Sequence, residues 1–172
     1  MGTAELEVCQ ERLDRAQWSS QGPSRVELMY RPAAGLTARP LRRIASGGEA
    51  SRVMLACKVV LGDADGIDTL VFDEVDAGVG GATAVALAQV LSHLAQSHQV
   101  IVVTHLAQVA VVGDRHYLVS KVGDAVPETT IEEISGDERV EEVARMLSGD
   151  QTQTSLDHAR EMLAAAASQK IR

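Results

Sequence analysis

Thr69-Leu70-Val71-Phe72-Asp73-Glu74 is an apolar run that ends in two carboxylates, and its reading decides the fold. A second run, Val100-Ile101-Val102-Val103, ends in Thr104-His105. Both are short and continuous rather than alternating, the pattern of strands buried in a parallel sheet. Between them, Ala82 to Ser97 has the length and the alanine and leucine content of a crossover helix. The three segments make a βαβ unit. In such sheets the ligand crevice lies outside the carboxyl ends of the strands, so Asp73, Glu74, Thr104 and His105 are expected to meet at one edge.

Upstream, a helix is predicted from about Gly47 to Leu61, ended by Gly62-Asp63-Ala64-Asp65-Gly66. That pentapeptide is similar to part of a calcium loop, but it lacks the later ligands and reads as a helix-ending turn. From Glu5 to Arg31, Leu6, Val8, Val26, Leu28 and Tyr30 alternate with polar residues around the turn Ser20-Gln21-Gly22-Pro23, which predicts a strand pair. Pro32 to Pro40 reads as a surface loop. Downstream, Arg115 to Lys121 and Thr129 to Ile134 read as strands flanking the turn Gly123-Asp124, followed by helices after Asp137 and from about Thr154 to Ala167. No internal repeat or composition shift divides the chain. It is expected to be one domain over 1–172, with a strand-rich lead-in at 1–40, a glycine motif and helix at 41–66, the strand-end core at 67–122, and a strand and helices at 123–172.

With 172 residues, 45% of them hydrophobic, the chain is long enough for a real core. Its apolar stretches fall well short of the roughly 20 residues a spanning helix needs. Met1-Gly2-Thr3-Ala4-Glu5 lacks the basic start and apolar block of a signal peptide. Cys9 and Cys57 are too isolated for a disulfide framework, and a reducing cytoplasm is the simplest setting. Cys57, among Val53, Leu55 and Val60, reads as a small core residue. A net charge of -8 argues against a broad phosphate-binding face. Trp18, Tyr30, Phe72 and Tyr117 are too few for a base-stacking platform.

Ser46-Gly47-Gly48-Glu49 has two readings. As a capping box, Ser46 caps the helix and Glu49 reaches back. As an anion site, the glycines let a ligand approach and free N–H groups hold a phosphate. Asp73 and Glu74 form a Walker B arrangement: one carboxylate can serve Mg2+ through water, while the next orients an attacking water. The structural alternative is an acidic cap at the start of a βα loop. Asp76 enlarges the acidic cluster and raises a metal nuclease, but reads as a solvated loop acid. His105 can sense a phosphate or orient water, or be a satisfied structural histidine. His93, His98, His116 and His158 show no zinc-binding pairing on a helix and read as surface or structural. The lysines Lys58, Lys121 and Lys170 follow Cys57, Ser120 and Gln169, so no Gly-Lys pair of a phosphate-binding P-loop is present.

Order and spacing of these motifs resemble the C-terminal lobe of an ABC-type ATPase head of the SMC-like branch. Within it, Ala45-Ser46-Gly47-Gly48-Glu49-Ala50-Ser51-Arg52, Phe72-Asp73-Glu74-Val75-Asp76-Ala77-Gly78-Val79-Gly80-Gly81, Val103-Thr104-His105-Leu106-Ala107-Gln108 and Val143-Ala144-Arg145-Met146-Leu147-Ser148-Gly149 look like the RecN family of DNA repair proteins. The resemblance implies an α/β fold: a mainly parallel sheet with flanking helices and peripheral antiparallel strands. It implies ATP and Mg2+ as cofactors, with Asp73 serving the metal, Glu74 the catalytic base or water-positioning group, and His105 the switch histidine. Ser46, Gly47, Gly48 and Glu49 would contact the nucleotide of a second head. The implied partners are an N-terminal Walker A half, a second head in a homodimer, and DNA through the complete protein, without a membrane and in the nucleoid-associated cytoplasm. The implied process is recombinational repair of DNA double-strand breaks. Departures from the wider pattern are Ala45 and Glu49 in the signature, and Gly80 where the D-loop aspartate is usual. The lack of a P-loop and Gly80 favour a rival, a truncated non-catalytic interaction module; Asp73, Glu74 and His105 together favour the enzyme.

Overall fold

The computed structural model describes residues 4–44, 46–62, 66–122 and 128–170. The chain opens with β1 (Glu5–Arg12) and β2 (Ser24–Arg31), paired antiparallel from Glu5 opposite Arg31 to Arg12 opposite Ser24. Cross-strand ion pairs join Arg31 to Glu5 and Glu7, and Arg25 to Glu11. The 32–40 segment is not loop throughout. Its last two residues form β3 (Arg39–Pro40), paired with Met29 and Tyr30 of β2. A proline is tolerated there because the strand is short and lies at the sheet edge.

Helix α1 (Gly47–Leu61) begins and ends where its glycines predict. Gly62 terminates it at φ 55, donating its N–H to the Lys58 carbonyl, in a region that suits a residue without Cβ. Strand β4 (Thr69–Phe72) then pairs in parallel with β5 (Gln99–Val102), joined by α2 (Gly81–Leu94). The predicted βαβ unit is present, with its helix stopping three residues early, since residues 95–97 form a turn. Leu70 and Phe72 point inward onto Leu55 of α1, Leu87, Ala88, Leu91 and Leu94 of α2, and Val75 and Val109. Fully burying a side chain the size of Phe72 contributes about 1.5–3 kcal/mol. The alternate positions face outward: Val71 is 65% and Ile101 46% exposed. A parallel pair is normally covered on both faces; here only one is.

After α3 (Ala107–Ala110), β6 (His116–Val122) and β7 (Glu128–Ile134) form an antiparallel hairpin. The predicted turn Gly123-Asp124 lies outside the described residues, as do Asp63, Ala64 and Asp65 of the helix-ending turn. Helices α4 (Gly136–Ser148) and α5 (Gln153–Lys170) close the fold. Val143, Ala144, Ala159 and Ala166 pack there with Ala107 and Val111 in a second core, small side chains letting the helices approach closely. Arg139 locks α4 to the end of α3, its Nη2 donating to the carbonyls of Ala110, Val111 and Gly113 at 3.1, 3.3 and 2.8 Å. No helix among the described residues is long and apolar enough to cross a membrane.

Candidate functional site

Beyond Phe72 the chain leaves β4 in a tight turn. Asp73 and Glu74 stand exposed, while Val75 is wholly buried in the core. Pulling Val75 inward directly after Glu74 requires a sharp reversal, and Glu74 makes it at φ 56, the only non-glycine at positive φ among the described residues. Left-handed backbone costs an L-residue roughly 1–2 kcal/mol, so the surroundings must hold it. They do so from α1. Ser51 Oγ donates to the Asp73 carbonyl at 2.7 Å, and Arg52 Nη1 donates to the carbonyls of Val75 and Ala77 at 3.2 and 2.7 Å. Ala77 N–H closes the turn on the Glu74 carbonyl at 3.0 Å.

Gly47 and Gly48 sit against this turn. A Cβ on Gly48 would lie 2.8 Å from both the Glu74 carbonyl oxygen and Ala77 Cβ, and one on Gly47 would lie 2.6 Å from Glu74 Oε2. The glycines permit helix and turn to touch. The capping box is not formed: Ser46 is the N-cap residue but makes no side-chain cap hydrogen bond, and is exposed. Glu49 is half-buried in the first turn.

At the end of β5, Thr104 and His105 meet Asp76. Expected as a solvated loop acid, Asp76 is instead 2% exposed. The reason is the turn itself, which carries Asp76 inward beside Val75. Its Oδ2 accepts from Thr104 Oγ1 at 2.5 Å and from the His105 N–H at 3.1 Å, and lies 3.2 Å from His105 Nδ1. The two strand ends are therefore joined through Asp76, and not through the expected Asp73 or Glu74. Glu74 Oε2 instead lies against Gly47 of α1, and the Asp73 carbonyl accepts from Ser51 of the same helix. Sequence reasoning gave Ser51 and Arg52 no role and took Asp76 for a solvated loop acid, where it is buried. A usable signal for Asp76 was present, since it lies between the apolar Val75 and Ala77 in a turn too short to expose all three.

The other histidines divide as expected between surface and structure. His93 and His158 are exposed, His98 is buried beside Ser97 Oγ at 2.8 Å, and His116 is half-buried at the start of β6. Cys57 is partly buried on α1. Gly80 is the N-cap residue of α2, extended at φ -163, and offers no side chain. No group of three or more His, Cys, Asp or Glu able to hold a metal ion occurs among the described residues. Asp73, Glu74 and Asp76 thus do not form the metal cluster a nuclease would need, because Asp76 turns inward.

No family model matches the chain. Against known proteins, the chain is 51% identical over 150 residues to the DNA repair protein RecN of Deinococcus radiodurans, covering 87% of this chain and 26% of that protein. RecN of Streptomyces coelicolor is 48% identical over 151 residues, with 87% and 26% covered. RecN of Treponema pallidum is 44% identical over 169 residues, with 96% and 30% covered. The chain belongs to the RecN family. It spans about a quarter of the length of the curated RecN relatives it matches, and its motifs are those of the C-terminal part. In fold it is similar to the Smc head domain with a coiled coil and joint from Pyrococcus yayanosii, at TM-score 0.56 and 20% identity over 96% of this chain and 26% of that one. A Pyrococcus furiosus Smc head gives TM-score 0.53 at 21% identity, covering 78% and 31%. The RecN-family chain is therefore similar in fold to part of an Smc head domain, with a two-stranded parallel sheet, β4–β5, and two antiparallel sheets, β1–β2–β3 and β6–β7.

Proposed function

We propose that this chain is the C-terminal lobe, one domain over 1–172, of a RecN-type DNA repair ATPase, and that it supplies half of a composite site for ATP hydrolysis. The observation that carries the reading is the strained Glu74 at the end of β4, held at φ 56 by α1 with its carboxylate exposed. Strain of this kind persists where the surroundings over-determine it, and clusters at active sites.

Glu74 is the catalytic base or water-positioning group, Asp73 serves Mg2+, and His105 contacts the γ-phosphate side. Mg2+ is commonly held by one or two carboxylates together with substrate phosphates and water. An exposed Asp73 without a closed ligand cage fits that requirement. When bound, the metal neutralises phosphate charge; the chain's own part is to hold Glu74 and His105 in place.

The β- and γ-phosphates need a lysine and a glycine-rich loop from a Walker A half, and Ser46, Gly47, Gly48 and Glu49 engage the nucleotide of a second head. The process served is recombinational repair of DNA double-strand breaks in the cytoplasm, with DNA contacted by the complete protein. The acidic chain, net charge -8, suits a lobe that works beside DNA rather than along it.

The lack of a Gly-Lys pair favours the rival, a non-catalytic interaction module. Joining the chain to a RecN Walker A half and measuring phosphate release decides between them. Turnover that Glu74→Gln abolishes supports the enzyme. Undiminished turnover in that variant removes Glu74 from its role, and no turnover in the unaltered protein supports the module.

A further inference from the structure

Asp76 has no part in the proposed reaction, yet it is the most deeply buried carboxylate in the molecule's described residues. Burying such a group is costly unless it is well hydrogen-bonded. Its Oδ2 gathers the Thr104 hydroxyl at 2.5 Å and the His105 N–H at 3.1 Å, with His105 Nδ1 at 3.2 Å. Thr104 Oγ1 in turn accepts the Leu106 N–H at 3.0 Å. One oxygen thus holds two consecutive residues after β5 from a turn 28 and 29 residues earlier in the chain, and Leu106 through Thr104.

The arrangement also selects a proton position. A neutral imidazole carries its proton on one ring nitrogen, and the other then presents a lone pair. A carboxylate oxygen only accepts, so at 3.2 Å its negative charge favours a proton on Nδ1 over a bare lone pair there, as a charge–dipole contact rather than an aligned hydrogen bond. The His105 side chain is otherwise 70% exposed, so no other group competes strongly for its orientation.

We propose that Asp76 is a positioning residue that holds the His105 ring in the Nδ1–H tautomer, leaving Nε2 as the unprotonated nitrogen that works toward the ligand. The tautomer stands on the geometry alone. Only its use in turnover rests on the reading of the chain as an ATPase lobe.

The test is long-range proton–nitrogen NMR of the 15N-labelled chain at about pH 8, where an ordinary imidazole is neutral, with His105 assigned by its loss in His105→Gln. The expected result is a His105 ring predominantly protonated at Nδ1, and its reversal to Nε2–H in Asp76→Ala. An Nε2–H ring in the unaltered chain overturns the proposal whether or not any variant folds. Retention of Nδ1–H in Asp76→Ala overturns it equally. In the chain joined to a Walker A half, Asp76→Ala lowers kcat roughly tenfold or more while KM for ATP stays within about twofold; a loss confined to KM overturns the positioning role. A ring found as Nδ1–H in a joined protein without turnover would sink the ATPase reading and support the tautomer assignment.

Discussion

Gly47 faces the carboxylate of Glu74 so closely that a single added carbon on Gly47 would stand 2.6 Å from Oε2. The neighbouring Gly48 faces backbone instead, with the Glu74 carbonyl and Ala77 Cβ each 2.8 Å from the same hypothetical atom. The two glycines therefore guard different things. A flexible carboxylate can swing away from an alanine at position 47, but a turn clamped by Ser51 and Arg52 cannot retreat from one at position 48. Gly47→Ala is expected to leave the denaturation midpoint nearly unchanged and to lower ATP turnover in the joined protein, because Glu74 is displaced. Gly48→Ala is expected to cost about 1–3 kcal/mol of stability, the range for overpacking a tight site. Urea melts of both variants, with phosphate release for the first, check the pair; equal destabilisation would contradict it.

Arg139 is the pin between α3 and α4. Its Nη2 serves three carbonyls at the end of α3, and partial burial holds its guanidinium below the ordinary arginine value, opposed by Asp114. Truncating it strips a charged donor from carbonyls that α4 partly covers. Arg139→Ala is expected to destabilise the chain by roughly 2 kcal/mol, with a matching fall in the urea midpoint and faster amide exchange in 107–113.

His116 is half-buried and its Nδ1 has no hydrogen-bond partner. Burial, then the charge of Arg139, pushes its ring below the ordinary histidine value, with Glu142 opposing. The sign follows from linkage. Between the lowered folded value and about 6.5, the unfolded chain binds the proton and the folded chain does not. Stability from this group is whole above about pH 6.5 and is lost as pH falls toward the folded value. Urea melts from pH 7.5 down to 5 should show this loss, and His116→Gln should flatten it across that window.

The chain by itself is expected to bind ATP poorly. No Gly-Lys pair is available to cradle the phosphates, and the net charge of -8 opposes an anion. Calorimetry on the chain alone should give no measurable heat of binding at micromolar ATP, whereas the joined protein should bind with Mg2+. Tight binding by the chain alone would refute the assignment of its phosphate grip to another segment.

Much of this was legible in the residues. The continuous apolar runs at Thr69 to Phe72 and Val100 to Val103 marked β4 and β5, because a strand buried on a sheet face cannot hold charge in its middle. The acids and His105 fell at strand ends for the same reason. The short β3 was missed because Arg39-Pro40 has no pattern of its own; β2 makes it a strand. The unmade capping box shows the converse, a local motif present in Ser46 and Glu49 that the tertiary setting does not use.

The sequence alone determined the longer helices and strands, their order, and which polar groups lie at the carboxyl ends of the parallel strands, since those follow from local periodicity and the cost of burying charge. Tertiary structure decided the site's inner wiring. Glu74 takes φ 56, and Asp76 rather than Glu74 holds His105, because α1 grips the turn from 22 to 25 residues away and β5 presents Thr104 from 28. Periodicity reports which side of an element is apolar. Which atom of a turn meets which partner depends on how separate elements dock, and that is a property of the packed core.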